Sequence, residues 1–470
     1  MSEPAGRPAP ERLLVRDRGS FRDPAGFVFQ RDGELYRQVN RWFADRYDRV
    51  AASGLYRSLH EAGLLIGHRE VAVDLAASPE AHRVLAPERI PFTSYPYEWC
   101  FGQLKDAALT TLRAQQVSLE HGMTLRDASG YNVQFQRGRP VLIDTLSFEP
   151  VHEGRPWVAY AQFCQHFLAP LALMSARDVR LAGLLRVHLD GIPLDLAARL
   201  LPGRARLRPS LALHLVAHAR AQRRHAGSPA GQDGRRFSLR AFRGLIESLQ
   251  RAVQGLDWEP PASVWTDYYG RCHTYAEETS ARKAELVGAF LDRAAPRTVW
   301  DLGANTGRYS RMAAERGAFT VSIDSDPGAI EASYREASRT GETGILPLVI
   351  DLANPSPPSG WAHQERAALV DRGPADLVMA LALVHHLAIG NNVPLDRLAD
   401  LLADVGPWAI VEFVPREDPQ VAELLATRED VFTDYSAEGF EGAVDRRFAV
   451  EHREHLPGST RQLYLLRRRS

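Results

Sequence analysis

The chain has 470 residues, 45% hydrophobic and 24% charged, which at roughly 150 residues per domain suggests two or three domains. A formal net charge of -1 argues against nucleic acid as a partner, and three cysteines without a CxxC pair argue against a disulfide framework or a zinc knuckle. The longest apolar run, 377–389, falls short of the ~18 residues of a membrane span and holds two histidines. The expectation is a cytoplasmic enzyme without membrane contact, of unknown oligomeric state.

In chain order, residues 1–20 read as a flexible tail. Segment 27–39 carries two β-prone runs around Asp32-Gly33, a hairpin signal. The pattern then turns helical over 40–65, and PFTSYPYEWC (91–100) suits a hinge or crossing loop. A helix is expected over 104–122, ended by Gly122. After it come a loop, a short strand (133–135), a turn at Arg137-Gly138 and a second strand (140–144). Residues 157–201 read as helices. The arginine-rich stretch 203–236 is expected to be a solvated face or linker, so the boundaries are 21–202 for an α+β N-terminal domain, 203–260 for a helical linker region and 261–470 for a C-terminal domain.

From Thr298 the texture changes to short apolar strands spaced by helix-length segments: TVWDLG, FTVSID, ILPLVID, ADLVMAL and WAIVEFV. That alternation is the signature of a parallel sheet with crossovers, an α/β doubly wound, Rossmann-like fold. RFAVEHREHL and RQLYLLRR follow as two strands that would pair antiparallel.

The first of these strands enters the glycine loop VWDLGANTGRYS, and Asp324 ends the second strand. A glycine loop at the first strand-helix turn with an acid about 20 residues on is a plan for a nucleoside, the ribose diol resting on the carboxylate. A dinucleotide loop wants GxGxxG for its pyrophosphate; here Gly303 and Gly307 stand four apart with Asp301 at the head. A carboxylate there repels phosphate and suits a cationic ligand such as S-adenosylmethionine. Asp351 follows the third strand, where it would accept from an adenine amino group. ALALVHHL ends the fourth strand at the switch-point crevice.

With these motifs in order, residues 275–469 resemble a class I S-adenosylmethionine-dependent methyltransferase of seven strands. The resemblance implies that Asp301, Gly303, Asn305 and Gly307 line the methionine part, that Asp324 takes the ribose, and that Asp351 and Leu352 take the adenine. Tyr275 and Lys283 could close over the methionine end, Lys283 on its carboxylate, or sit on a helix flank. Motif IV lacks an NPPY-like sequence, against exocyclic base methylation. The catalytic candidates are His385, His386 and Glu412, each either facing the acceptor or serving packing and capping. No metal site is expected, because the histidine pair has no second ligand at metal spacing. Asp324 could alternatively cap the helix that starts at Pro327.

The stretch LRDASGYNVQFQRGRPVLID (125–144) spaces Asp127, Asn132 and Asp144 as kinases space a proton acceptor and magnesium ligands. The N-terminal half thus resembles the aminoglycoside phosphotransferase and protein kinase fold in lobe order. It departs from the pattern where a strand lysine is needed, offering Arg37, and it has no glycine-rich loop; the only lysines of the chain are Lys105 and Lys283. The main expectation is methyl transfer to a small-molecule acceptor that the N-terminal domain recognises. The alternatives are a bifunctional protein with ATP-dependent phosphotransferase activity, or a non-catalytic cofactor-binding scaffold.

Overall fold

The computed structural model describes residues 14–220, 237–261, 277–426 and 429–469. Its N-terminal part opens with an antiparallel sheet of order β1-β2-β3-β5-β4, formed by Leu14–Arg16, Gly26–Arg31, Glu34–Asn40, Ala81–Pro87 (β5) and His68–Val71 (β4). The hairpin between β2 and β3 closes on Asp32 and Gly33, both left-handed (φ 51° and 82°) as a two-residue turn of this twist requires. The helical pattern expected over 40–65 is two helices, Ala44–Ala52 and Leu55–Glu61. Gly54, at φ 80°, turns the chain between them.

The helix Phe101–Glu120 is the axis of this half, with twelve of its 20 residues buried. A short antiparallel pair, β6 (Met123–Leu125) with β9 (Phe148–Pro150), and the hairpin β7 (Val133–Gln136) and β8 (Arg139–Leu142) follow it. The hairpin turns at Arg137-Gly138, again both left-handed. The helix Leu239–Gln254 lies along Phe101–Glu120, joined by the Gln116–Gln250 amide pair and by Lys105 Nζ donating to the Gln254 and Leu256 carbonyls. A small sheet lobe, a connecting stretch and a helical lobe give the lobe order of the kinase resemblance. The part of the arginine-rich stretch over 221–236 lies outside the described residues.

The C-terminal sheet has seven strands in the order β12-β11-β10-β13-β14-β16-β15. They are β10 (Thr298–Leu302), β11 (Phe319–Asp324), β12 (Ile345–Val349), β13 (Leu377–Ala380), β14 (Trp408–Phe413), β15 (Phe448–His455) and β16 (Gln462–Arg468). The strands β10 to β14 pair in parallel, and β16 runs against β14 and β15. This is the doubly wound, seven-stranded α/β sheet of the class I methyltransferase fold. The order reverses between β10 and β13, so a crevice opens beyond their carboxyl ends.

The two halves share one apolar core. Phe92 meets Trp300 edge-on at 5.5 Å, and Phe135 meets Tyr334 at 6.1 Å. The sheet edge at β12 is covered by the helix Phe101–Glu120, where Gln103 Nε2 donates to the Pro347 carbonyl at 2.9 Å. Such cover removes an exposed edge that would otherwise invite pairing with another chain. Among the described residues no helix is long and apolar enough to cross a membrane, and no group of side chains is arranged to hold a metal ion. Cys100 and Cys164 are buried free thiols, and Cys272 lies outside the described residues.

Candidate active site

The loop after β10 is forced into shape by its backbone. Gly303, Asn305 and Gly307 all lie in the left-handed region, at φ 74°, 53° and 84°. A Cβ on Gly307 would stand 2.8 Å from Ser333 Oγ, so a side chain there is both strained and obstructed. The amides of Gly303 and Ala304 both reach the Ile323 carbonyl at 2.9 Å, which binds the loop to the end of β11. Helix Arg308–Glu315 then starts from Gly307.

Asp324 faces this loop. Its Oδ2 accepts from the Asn305 amide at 2.8 Å and its Oδ1 from the Asp326 amide at 2.9 Å. Burial pushes its carboxyl above the ordinary range. The cap of the helix Pro327–Thr340 is Asp326, which accepts from the Gly328 amide at 2.7 Å. Asp324 is therefore not that helix's cap.

Asp301 lies beneath the loop, 2% exposed, and accepts from Ser310 Oγ at 2.6 Å. Burial raises it to about 6, with the neighbouring Asp324 charge adding and the Ser310 bond and Lys283 opposing. Asp351 stands exposed after β12 and accepts from the Ala353 amide at 2.9 Å, an Asx-type turn beside the half-buried Leu352.

At the carboxyl end of β14 lies a buried charge network. Lys283 Nζ, on the helix Glu277–Ala294, meets Glu412 Oε2 at 2.5 Å and stands 4.8 Å from the Tyr309 ring centroid. Glu412 also faces Arg461 at 3.4 Å, and Arg461 Nε donates to Asp418 Oδ2 at 2.6 Å. Two cations thus meet two carboxylates with almost no solvent, a set that is stable only while every member is paired. Arg461 reaches this edge because β16 is antiparallel, placing Gln462 opposite Phe413 at the carboxyl end of β14.

His385 and His386 follow β13. His385 is fully buried, and neither ring nitrogen has a hydrogen-bond partner among the described residues. Burial, with the His386 ring at 4.1 Å and the Arg461 charge, pushes its imidazole down to about 2. His386 is lowered too, by burial first and by the Arg461 charge. Tyr275 lies outside the described residues.

In the N-terminal half, Asn132 and Asp144 meet at Ser147, and Asp127 stands beside them with Asn132 as a side-chain partner. Asn132 Nδ2 donates to Ser147 Oγ at 3.3 Å, and Ser147 Oγ donates to Asp144 Oδ2 at 2.6 Å. Asp144 Oδ1 accepts from the Leu146 amide and faces Arg37 Nη2 at 2.5 Å. Asp127 accepts from the Ser129 amide and is raised by burial.

No protein-family model matches this chain. Nodulation protein NoeA of Rhizobium meliloti (strain 1021) is 36% identical over 478 residues, spanning 99% of this chain and 98% of the relative. The chain belongs to the NoeA family. Among solved structures, the NoeA-family chain is similar to WbdD, described as a bifunctional kinase-methyltransferase, at 19% identity and a TM-score of 0.31, covering 41% of the chain and 40% of WbdD. It is also similar to the N-methyltransferase NodS from Bradyrhizobium japonicum WM9, at 12% identity and a TM-score of 0.32 over 41% of the chain and 98% of NodS. The magnesium protoporphyrin IX methyltransferase of Synechocystis PCC 6803 with bound SAM is 15% identical with a TM-score of 0.31, over 43% of the chain and 90% of that enzyme.

Three participants of the NoeA-family crevice escape a motif reading. Arg461 precedes a strand, and only the antiparallel pairing of β16 brings it to the site. Ser310 is one of many serines until Asp301 is known to be buried beneath it. Asp326 is masked by the more conspicuous Asp324 two positions earlier.

Proposed function

We propose that this protein transfers a methyl group from S-adenosylmethionine to a small-molecule acceptor. The observation that carries the reading is the loop 303–307, held left-handed at three positions against a carboxylate, Asp324, at the carboxyl end of the adjacent strand. A side chain at Gly307 would collide with Ser333 and displace the loop, and no cationic group in residues 303–307 offers itself to a pyrophosphate. These residues fit the cofactor: Asp301, Gly303, Asn305 and Gly307 on the methionine side, Asp324 at the ribose, Asp351 and Leu352 at the adenine. When bound, the cofactor supplies an electrophilic methyl group on a sulfonium.

The chain's own contribution is then alignment and the exclusion of water. His385 is fully buried just after β13 and, among the described residues, has no hydrogen-bond partner on either ring nitrogen. An imidazole held near 2 is a poor general base at neutral pH and a good neutral hydrogen-bond partner, so its role is to orient the acceptor. Lys283 and Glu412 neutralise one another, so the buried network at the end of β14 adds no unpaired charge, in keeping with a small uncharged acceptor group. The N-terminal half, 21–202, presents the acceptor across the shared core.

Calorimetry with S-adenosylmethionine tests this directly. Saturable binding is expected, lost or weakened on the order of 10- to 100-fold in Asp324→Ala, as removal of a charged hydrogen-bond acceptor implies, and abolished in Gly303→Arg. Affinity unchanged in both variants would sink the reading.

A further inference from the structure

The segment 355–372 lies between β12 and β13, directly after the adenine-side turn at Asp351, yet its partners lie in the N-terminal half. Ser356 Oγ donates to Glu98 Oε1 at 2.5 Å. Arg372 grips the same carboxylate with both terminal nitrogens, at 2.6 and 2.8 Å, and donates to the Thr93 carbonyl at 2.8 Å. This pair is almost wholly buried, 4% and 1% exposed. The Ala367 amide donates to Tyr95 Oη at 2.9 Å, and the Arg366 guanidinium lies 4.1 Å above the Tyr131 ring. Glu365, itself buried, takes Arg22 Nε at 2.5 Å from the connection between β1 and β2. The Arg186 guanidinium closes the near end on the Asn354 and Pro355 carbonyls.

These partners belong to one cleft, walled by the β1–β2 connection, by the hinge-like stretch 92–98, and by the turn of Tyr131 that leads into Asn132. Its polar floor is spent internally. Asp144 divides its oxygens among Arg37, the Leu146 amide and the Ser147 hydroxyl, and the Arg37 guanidinium stands where a divalent cation would have to meet that carboxylate.

We infer that this cleft is the seat of segment 355–372 of the same chain, and that by seating it the N-terminal half fixes the turn at Asp351 instead of taking a nucleoside triphosphate. The effect on cofactor affinity rests on the methyltransferase reading; the docking does not. A bound segment anchored at Glu98 and Tyr95 restrains the few residues that separate it from Asp351, so less ordering remains when the adenine arrives.

The experiment uses the full chain in three variants. Tyr95→Phe removes the bond to Ala367, Arg366→Ala removes the stacked cation, and Asp106→Asn weakens, by removing the charge, a contact between the halves away from the cleft, that with Tyr334. Hydrogen–deuterium exchange is expected to show the amides of 355–372 protected in the wild type and exposed in the first two variants only. Rapid exchange of that segment in the wild type would overturn the docking, whatever the cofactor does. Calorimetry with S-adenosylhomocysteine is expected to show about tenfold weaker binding in Tyr95→Phe and Arg366→Ala and none of that loss in Asp106→Asn, the effect of one lost contact. Equal affinity across the set would overturn the coupling, whereas no binding even in the wild type would instead refute the cofactor assignment and leave the exchange result to decide the docking. Saturable binding of magnesium ATP by the wild type would overturn the displacement of a nucleotide.

Discussion

His385 gives the site a measurable pH signature. In an unfolded chain its imidazole titrates near ~6.5, while in the folded protein burial holds it down to about 2. Below ~6.5 the unfolded state therefore binds a proton that the folded state refuses, and stability falls as the pH falls, by about 1.4 kcal/mol per unit. Asp301 acts in the opposite sense: raised to about 6, it takes up its proton in the folded state first and adds stability as the pH drops below that value. Comparing wild type with His385→Phe isolates the first effect. Between about pH 6.5 and 5.0 the wild type should lose about 2 kcal/mol more than the variant in urea denaturation. Equal losses would mean that the ring is hydrated. Gly307→Ala tests the loop itself: a left-handed non-glycine residue costs about 1–2 kcal/mol before the contact with Ser333 Oγ is counted, and cofactor binding should weaken with it. The adjacency of His385 and His386 suggests diverging rings, but the wide turn His386–Gly390 brings them to 4.1 Å. That geometry depends on backbone hydrogen bonding, which residue types alone do not specify.

At the scale of elements, periodicity and turn chemistry carried most of the information. The Asp32-Gly33 and Arg137-Gly138 hairpins, the helix Phe101–Glu120 and all seven strands of the second sheet follow from alternation, breakers and left-handed positions. The division of the helical pattern over 40–65 was legible too, in hindsight, at Gly54. What local pattern does not carry is pairing across long separations. Glu98 reads as one acid in an aromatic, proline-rich hinge, and its partner Arg372 is 274 residues away. Arg461 is invisible for the same reason. The pair Glu98–Arg372 yields a prediction at this scale. Glu98→Gln keeps the volume but leaves the Arg372 guanidinium buried without its counter-charge, which should cost about 3–5 kcal/mol of unfolding free energy, read from denaturant titration. A loss under about 1 kcal/mol would place the pair among solvent-screened surface bridges.

For the whole molecule the question is whether the halves are independent. Most two-domain chains have polar, modest interfaces and move relative to one another. Here one apolar cluster crosses the boundary, with Phe92 on Trp300 and Phe135 on Tyr334. Polar atoms at the junction also bond across it. Glu331, 1% exposed, accepts from the Gly102 amide at 2.8 Å, and Gln103 supplies the donor for the edge strand β12. Separating the halves would strand these groups and expose aromatic surface at once, so neither half has a low-cost way to unfold or to stand alone. Scanning calorimetry of the full chain should therefore show a single cooperative transition rather than two. A fragment covering 261–470 should bind a hydrophobic dye and unfold at lower denaturant than the same residues do in the full chain. Two resolved transitions, with the fragment as stable as its parent, would instead establish that the shared core is only a contact between finished domains. In that case segment 355–372 would keep its conformation without the cleft that holds it.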